Sequence, residues 1–270
     1  MAQETTRAEI TKKTVVYRIA GMDAVTVRPD LAYRTTDAGP LTMDVYYPPG
    51  VRVGPVSAVI FVLGFSDSGA ERIFGCKFKE LGSYISWARL VAASGLAAIT
   101  YSPREPATDI FELLQYLRRH GTGLGIDATR VGLWACSGNV PLALSVVMKE
   151  GDRAMKCAVL CYGYMLDLGD ATWVAEASKK WGFVNPSAGK SVADLPQEMP
   201  LFVARAGLDA MPGLNQSIDT FLVKTLERNL AITFANHAEG PHAFDLEHDS
   251  ETSREIIRQI LKFMTCHLRG

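Results

Sequence analysis

The 270-residue chain carries almost no net charge, and that shortage removes a group of partners at once. Its 28 Lys and Arg residues face 29 Asp and Glu, for a formal net charge of −1. No basic run or basic helix stands out, so there is no electrostatic footprint for nucleic acid or an anionic membrane. Apolar stretches long enough to cross a bilayer are absent too. Met1 to Ile10 is polar and lacks the apolar core of a secretory signal. Cysteines are few and odd in number: five, at 76, 136, 157, 161 and 266, with spacings that fit neither a disulfide framework nor a zinc site. Cys157 and Cys161 sit in an apolar, strand-like run, where small buried thiols are common. These absences predict a cytoplasmic protein with neither nucleic acid nor membrane as partner. They leave open whether the chain pairs as a homodimer.

What is present is material for a core. With 48% hydrophobic and 21% charged residues, the chain reads as one globular domain over residues 1–270, large enough to fold without disulfides or metals. Thr14 to Ala20 and Ala24 to Arg28 read as short strands around Gly21. Leu41 to Tyr47 alternates apolar and polar residues and stops at Pro48-Pro49-Gly50, the pattern of a half-buried strand. From Ala58-Val59-Ile60-Phe61-Val62-Leu63 onward the strands become continuously apolar, as parallel strands covered on both faces do. Gly95 to Tyr101, Val131 to Trp134, Cys157 to Tyr162, Leu201 to Ala204 and Ala231 to Phe234 follow suit. Helical spacing appears between them at Tyr84 to Ala93, Asp109 to Arg119, Pro141 to Met148, Gly213 to Asn229 and Ser250 to Leu268. The last opens with Thr252-Ser253-Arg254-Glu255, which reads as a capping box. The alternation predicts an α/β fold: a mostly parallel central sheet, antiparallel strands at the N-terminal side and helices on both faces.

One segment carries chemistry. Val131-Gly132-Leu133-Trp134-Ala135-Cys136-Ser137-Gly138-Asn139 is a short apolar strand running into a serine among small residues, and a helix follows. That is the layout of a nucleophile elbow, usually G-x-S-x-G, with Ala135 and Asn139 at its glycine positions. Cys136 competes for the role, but a nucleophile there would put the bulky Trp134 two residues ahead, where space is tight. The rival without chemistry is a strand-to-helix junction with a capping serine.

A serine hydroxyl needs a base. Glu239-Gly240-Pro241-His242-Ala243-Phe244 places His242 on a turn just past the last strand, from where an imidazole can reach back to Ser137. His237 is the nearest rival; His120 and His267 fall at helix ends, and His248 in the run before the last helix. Asp209, after the strand at Leu201 and a glycine-containing turn, suits the orienting carboxylate. Asp245 is close to His242 in sequence but on the same loop, and Asp219 falls within a helix. Amide donors for a developing oxyanion are expected at Gly138 and at Phe65, with Gly64 the next choice. Substrate contacts are expected from Gly64, Ser66, Cys136, Tyr164 and Trp173.

The order Ser137, Asp209, His242, together with the strand at Leu41 to Pro49 and the lead from Gly125 to Trp134, resembles the α/β-hydrolase superfamily, nearest its small bacterial esterase and dienelactone-hydrolase-like branches. The likeness runs from about Leu41 onward. The chain departs from the pattern in lacking both elbow glycines and the histidine-glycine start of the oxyanion loop. The resemblance implies a serine esterase that cleaves small to medium acyl or aryl esters through an acyl-enzyme, with no metal or organic cofactor. Residues 164–199, with Trp173, Trp181 and Phe183, are long for a connection and read as a small cap or lid with a helix near Ala171 to Lys180. A peptidase or amidase, a thioesterase or acyltransferase, and a non-catalytic binding protein on the same fold remain the alternatives.

Overall fold

The computed structural model describes residues 7–50, 54–151 and 155–269. Among them, eight strands form one sheet: β1 (Thr26–Thr36), β2 (Gly39–Tyr47), β3 (Val56–Phe61), β4 (Ala97–Tyr101), β5 (Ile126–Cys136), β6 (Met155–Cys161), β7 (Leu201–Ala206) and β8 (Ile232–His237). Their spatial order is β1-β2-β4-β3-β5-β6-β7-β8. β2 runs antiparallel to both its neighbours, β1 and β4, and every pairing from β4 to β8 is parallel.

Helices α1 (Arg7–Lys12), α2 (Asp67–Phe74), α3 (Gly82–Ala93), α4 (Pro106–His120), α5 (Val140–Glu150), α6 (Trp173–Trp181), α7 (Leu214–Glu227), α8 (Phe244–Glu247) and α9 (Glu251–Leu268) surround the sheet. Every residue of β4 is buried, as are the last four of β3. Successive strand residues point to opposite faces, so uninterrupted burial means that both faces are covered. Gly132 and Trp134 share a face of β5; a side chain at 132 would run into Leu268 of α9, while the Trp134 ring packs 5.3 Å from that of Trp87 on α3.

The internal strands and the long helices fall where the sequence places them. The first part of the chain does not. Residues 14–20 form no strand; α1 and an extended segment lead instead to the long β1. That segment has tertiary partners: Val15 N donates to Ser86 Oγ on α3 and Val16 N to the Asp245 carbonyl. At α9 the expected capping box is replaced by Ser250, whose side chain accepts from Ser253 N at 3.2 Å. The register of the parallel strands aligns their ends. Phe61 pairs with Trp134, Cys136 with Cys161, Cys161 with Ala204, and Ala206 with His237, so β3, β5, β6, β7 and β8 end together along one edge. In an open parallel sheet, that carboxyl edge is where side chains from separate strands can meet.

Candidate active site

Ser137 follows β5 directly, and its backbone settles which residue forms the apex. Its φ is +54°, a left-handed value rare outside glycine, whereas Cys136 is extended at φ −133°. Such a conformation costs on the order of 1–3 kcal/mol and persists only where the surroundings impose it. Here they do. A side chain at Gly163 would meet the Ser137 carbonyl at 2.9 Å, and one at Gly138 would meet the Phe183 ring at 2.6 Å and Phe65 at 3.1 Å. Ala135 is wholly buried beneath the turn.

Asn139, at the second glycine position, does something glycine could not. Its buried amide accepts from Gly64 N at 2.7 Å and donates to Tyr84 Oη at 3.0 Å. The elbow therefore holds the loop after β3 from below. Gly64 lies close enough that a Cβ there would meet the Gly138 carbonyl at 2.7 Å, and its own carbonyl accepts from Val184 N at 2.8 Å. Its N–H is committed, which removes Gly64 as an alternative amide donor. The amides of Phe65 and Gly138 have no acceptor among the described residues.

The loops after β7 and β8 are joined to each other. Gly207 N donates to the His237 carbonyl at 2.8 Å and Leu208 N to the Gly240 carbonyl at 2.9 Å. No side chain fits at 207, where a Cβ would lie 2.3 Å from the Ala238 carbonyl. This stitching sets Asp209 beside His242: Oδ2 lies 2.6 Å from Nδ1, while Oδ1 accepts from Met211 N at 2.9 Å. The Asp209 side chain is fully buried and the imidazole 31% exposed. Among the described residues, Nε2 of His242 has no protein partner.

Ser137 and His242 line one cavity of about 230 Å³. They are not hydrogen-bonded to each other across it, so the cluster is closed on its carboxylate side and open at the hydroxyl. Apo sites often show that looseness. The walls are aromatic: Phe65, Phe78, Tyr84, Trp87, Trp134 and Tyr162. Cys136 lines it as well, but burial pushes its thiol up to about 12, leaving it protonated at neutral pH and ill suited to attack.

The other expected contacts lie elsewhere. Gly64 and Ser66 do not line the cavity; Ser66 caps α2, accepting from Gly69 N at 3.1 Å. Tyr164 and Trp173 flank a separate cleft, and the Tyr164 hydroxyl donates to the Pro212 carbonyl. Tyr164 stacks at 5.8 Å against Phe183, the ring that packs on the elbow. His237 is buried behind the site with Nε2 2.9 Å from Ser253 Oγ, and Asp219 pairs with Arg205. Among the residues not assigned to the site from sequence, Asn139 joins it as a positioning group, and Ile10, Lys13, Phe78, Tyr84 and Trp87 stand at the cavity wall; Asp245, weighed only as a rival to Asp209, lines it as well. Asn139 carried a signal, an amide where the elbow pattern has glycine.

No protein-family model and no curated protein sequence matches the chain. Solved structures do. A bacterial heroin esterase superposes with a TM-score of 0.67 at 18% identity, over 94% of this chain and 88% of that one. An α/β hydrolase enzyme from the metagenome of Lake Arreo, Spain, gives 0.69 at 18% over 93% and 87%. The chain has the α/β-hydrolase fold. Esterase LipW from Mycobacterium marinum is similar over 91% of this chain and 83% of its own, at 16% identity and a TM-score of 0.67. Within the α/β-hydrolase fold as this chain builds it, Asn139 and the Phe65–Phe183 contact, with centroids 5.9 Å apart, occupy the space around the elbow and the loop after β3.

Proposed function

We propose that the protein is a serine hydrolase of carboxylic esters, with Ser137 as nucleophile, His242 as base and Asp209 as the group that orients it. The observation that carries this reading is the left-handed Ser137 at a strand-to-helix turn, sharing a cavity with an imidazole whose Nδ1 is bound to a buried carboxylate. Asp209 holds the tautomer with its proton on Nδ1, so Nε2 is free to take the serine proton. The hydroxyl oxygen then attacks the ester carbonyl. Negative charge moves to the carbonyl oxygen, where the amides of Phe65 and Gly138 are the donors without other partners. As the tetrahedral species collapses, the imidazolium gives its proton to the departing alcohol and leaves an acyl-serine. Water, deprotonated by the same nitrogen, attacks that ester in turn, and the acid leaves as Ser137 regains its proton.

An apolar aromatic cavity of this volume suits small to medium acyl or aryl groups. Residues 164–199 serve in this reading as a fixed cap, because Phe183 packs on Gly138 and Val184 is bonded to Gly64. Hydrolysis of p-nitrophenyl acetate tests the assignment. Ser137→Ala is expected to lower kcat by at least about a thousandfold with folding retained. Turnover that survives this change but disappears in Cys136→Ala would move the nucleophile to the thiol.

A further inference from the structure

Resting on the ester-hydrolase reading, we infer that the cavity beside Ser137 receives a cation: the substrate class is an ester whose acyl or alcohol part carries a quaternary or protonated amine. Asp245 is 2% exposed, yet it is one of the residues that line the cavity. Both of its oxygens accept from neutral donors, Oδ1 from the Tyr162 hydroxyl and Oδ2 from Trp87 Nε1, each at 2.6 Å. No lysine or arginine among the described residues pairs with it, and burial holds its carboxyl above the ordinary range. A buried carboxylate with only neutral partners remains short of a counterion.

The rest of the lining does not supply one. The other ionic groups there are Lys13 and Glu247, which are bonded to each other, and His242, whose Nδ1 is on Asp209. Lys13 and Glu247 cancel, so Asp245, when ionised, is the negative group of the cavity that no lysine or arginine offsets, and a bound cation would compensate the burial that disfavours that form. An anionic substrate is disfavoured and a cationic one matched.

The walls fit the same ligand. Tyr84, Trp87, Trp134 and Tyr162 all line the cavity, with the Tyr84 and Trp87 rings 6.0 and 5.3 Å from that of Trp134. Electron-rich faces around a desolvated site attract alkylammonium groups, and tryptophan does so best. A cavity that only had to hold an alkyl or aryl group would need no buried carboxylate in its wall.

The test compares acetylcholine with its neutral isostere 3,3-dimethylbutyl acetate, and separately measures binding of phenyltrimethylammonium to Ser137→Ala by calorimetry. The wild-type protein should favour the cation by roughly tenfold or more in kcat/KM, and Asp245→Asn should cut that ratio to about threefold or less. Equal turnover of the two esters by the wild-type protein overturns the inference while leaving the hydrolase reading intact. If neither ester nor p-nitrophenyl acetate is turned over but phenyltrimethylammonium binds saturably, the hydrolase reading falls and the cation site stands. Failure of phenyltrimethylammonium to bind overturns the site itself. Should Asp245→Asn not fold, the wild-type ratio and the binding measurement still decide, since neither needs that variant.

Discussion

At Ser137, one backbone angle separates two neighbouring candidates. A left-handed serine next to an extended cysteine places the hydroxyl at the apex of the turn, and the high thiol pKa makes the cysteine a poor rival on chemical grounds as well. The roles of Asp209 can be separated by substitution. Its Oδ1 accepts from Met211 N while Oδ2 meets His242, so Asp209→Asn can preserve the loop and still lose the charge and the tautomer it selects. We expect kcat to fall by roughly four orders of magnitude, with KM and thermal stability little changed. A matching loss of stability would instead make Asp209 a structural residue. Asn139 makes the opposite kind of contribution. Asn139→Ala strips partners from Gly64 N and Tyr84 Oη, two buried groups, and should cost about 1–3 kcal/mol in chemical denaturation. Because the Gly64 loop carries Phe65, kcat should drop as well, with KM for p-nitrophenyl acetate moving less.

Among the elements, the decisive pair is the two loops that leave β7 and β8. Each carries turn residues, Gly207 in one and Gly240-Pro241 in the other, but no local pattern that sets one against the other. Joined through Gly207 and Leu208, they form one platform on which carboxylate and imidazole face each other. Gly207→Ala forces a Cβ to within 2.3 Å of a backbone oxygen that cannot move aside without opening the platform. The variant should be destabilised by more than about 2 kcal/mol and lose activity in proportion to the Asp209–His242 separation, which the imidazole proton resonances would report. Wild-type resonances and activity in that variant would show the loops to be independent.

The same scale shows what could be read in advance. The internal strands were legible because burial on both faces leaves an unbroken apolar run, α4, α7 and α9 because one face of each is apolar, and α5 because it is apolar nearly all round. Residues 14–20 misled, since an apolar stretch that packs along α3 and α8 looks like a strand until its backbone partners are known. Helix α8 is a single turn, too short to show a period. At α9 the sequence pointed to a box at Thr252, but the cap is Ser250, whose backbone is extended where the chain turns into the helix.

For the whole molecule, the buried carboxylate of Asp245 ties stability to pH. Its folded-state pKa lies above the ordinary value because burial disfavours the charged form. Below the ordinary carboxylate value the group is protonated in both states and adds nothing. As pH rises through that value and on through the raised one, the unfolded chain gives up its proton first and the folded state is increasingly penalised, by about 1.4 kcal/mol per unit of displacement. Asp245→Asn lacks this penalty. Its stability relative to wild type should therefore improve between about pH 3.5 and about pH 7, whatever hydrogen-bond loss it carries at both. Denaturation curves at the two pH values measure the change. A gap that moves the other way would mean that a cation already neutralises the carboxylate. No helix among the described residues is long and apolar enough to cross a membrane.

The sequence by itself determined the internal strands and the long helices, the serine-bearing turn, and the residues available to meet at the carboxyl edge. These are properties of local patterning: apolar period, glycine and proline at turns, small residues around a crowded bend. Tertiary structure alone decided that Asp209 reaches His242, that Gly64 is spoken for, and that Tyr164 and Trp173 face a different cleft. It also decided that an aromatic cavity closes around Asp245. Each of those facts depends on side chains brought together from separate strands by sheet registration, and contacts between positions tens to hundreds of residues apart leave no periodic trace in the chain.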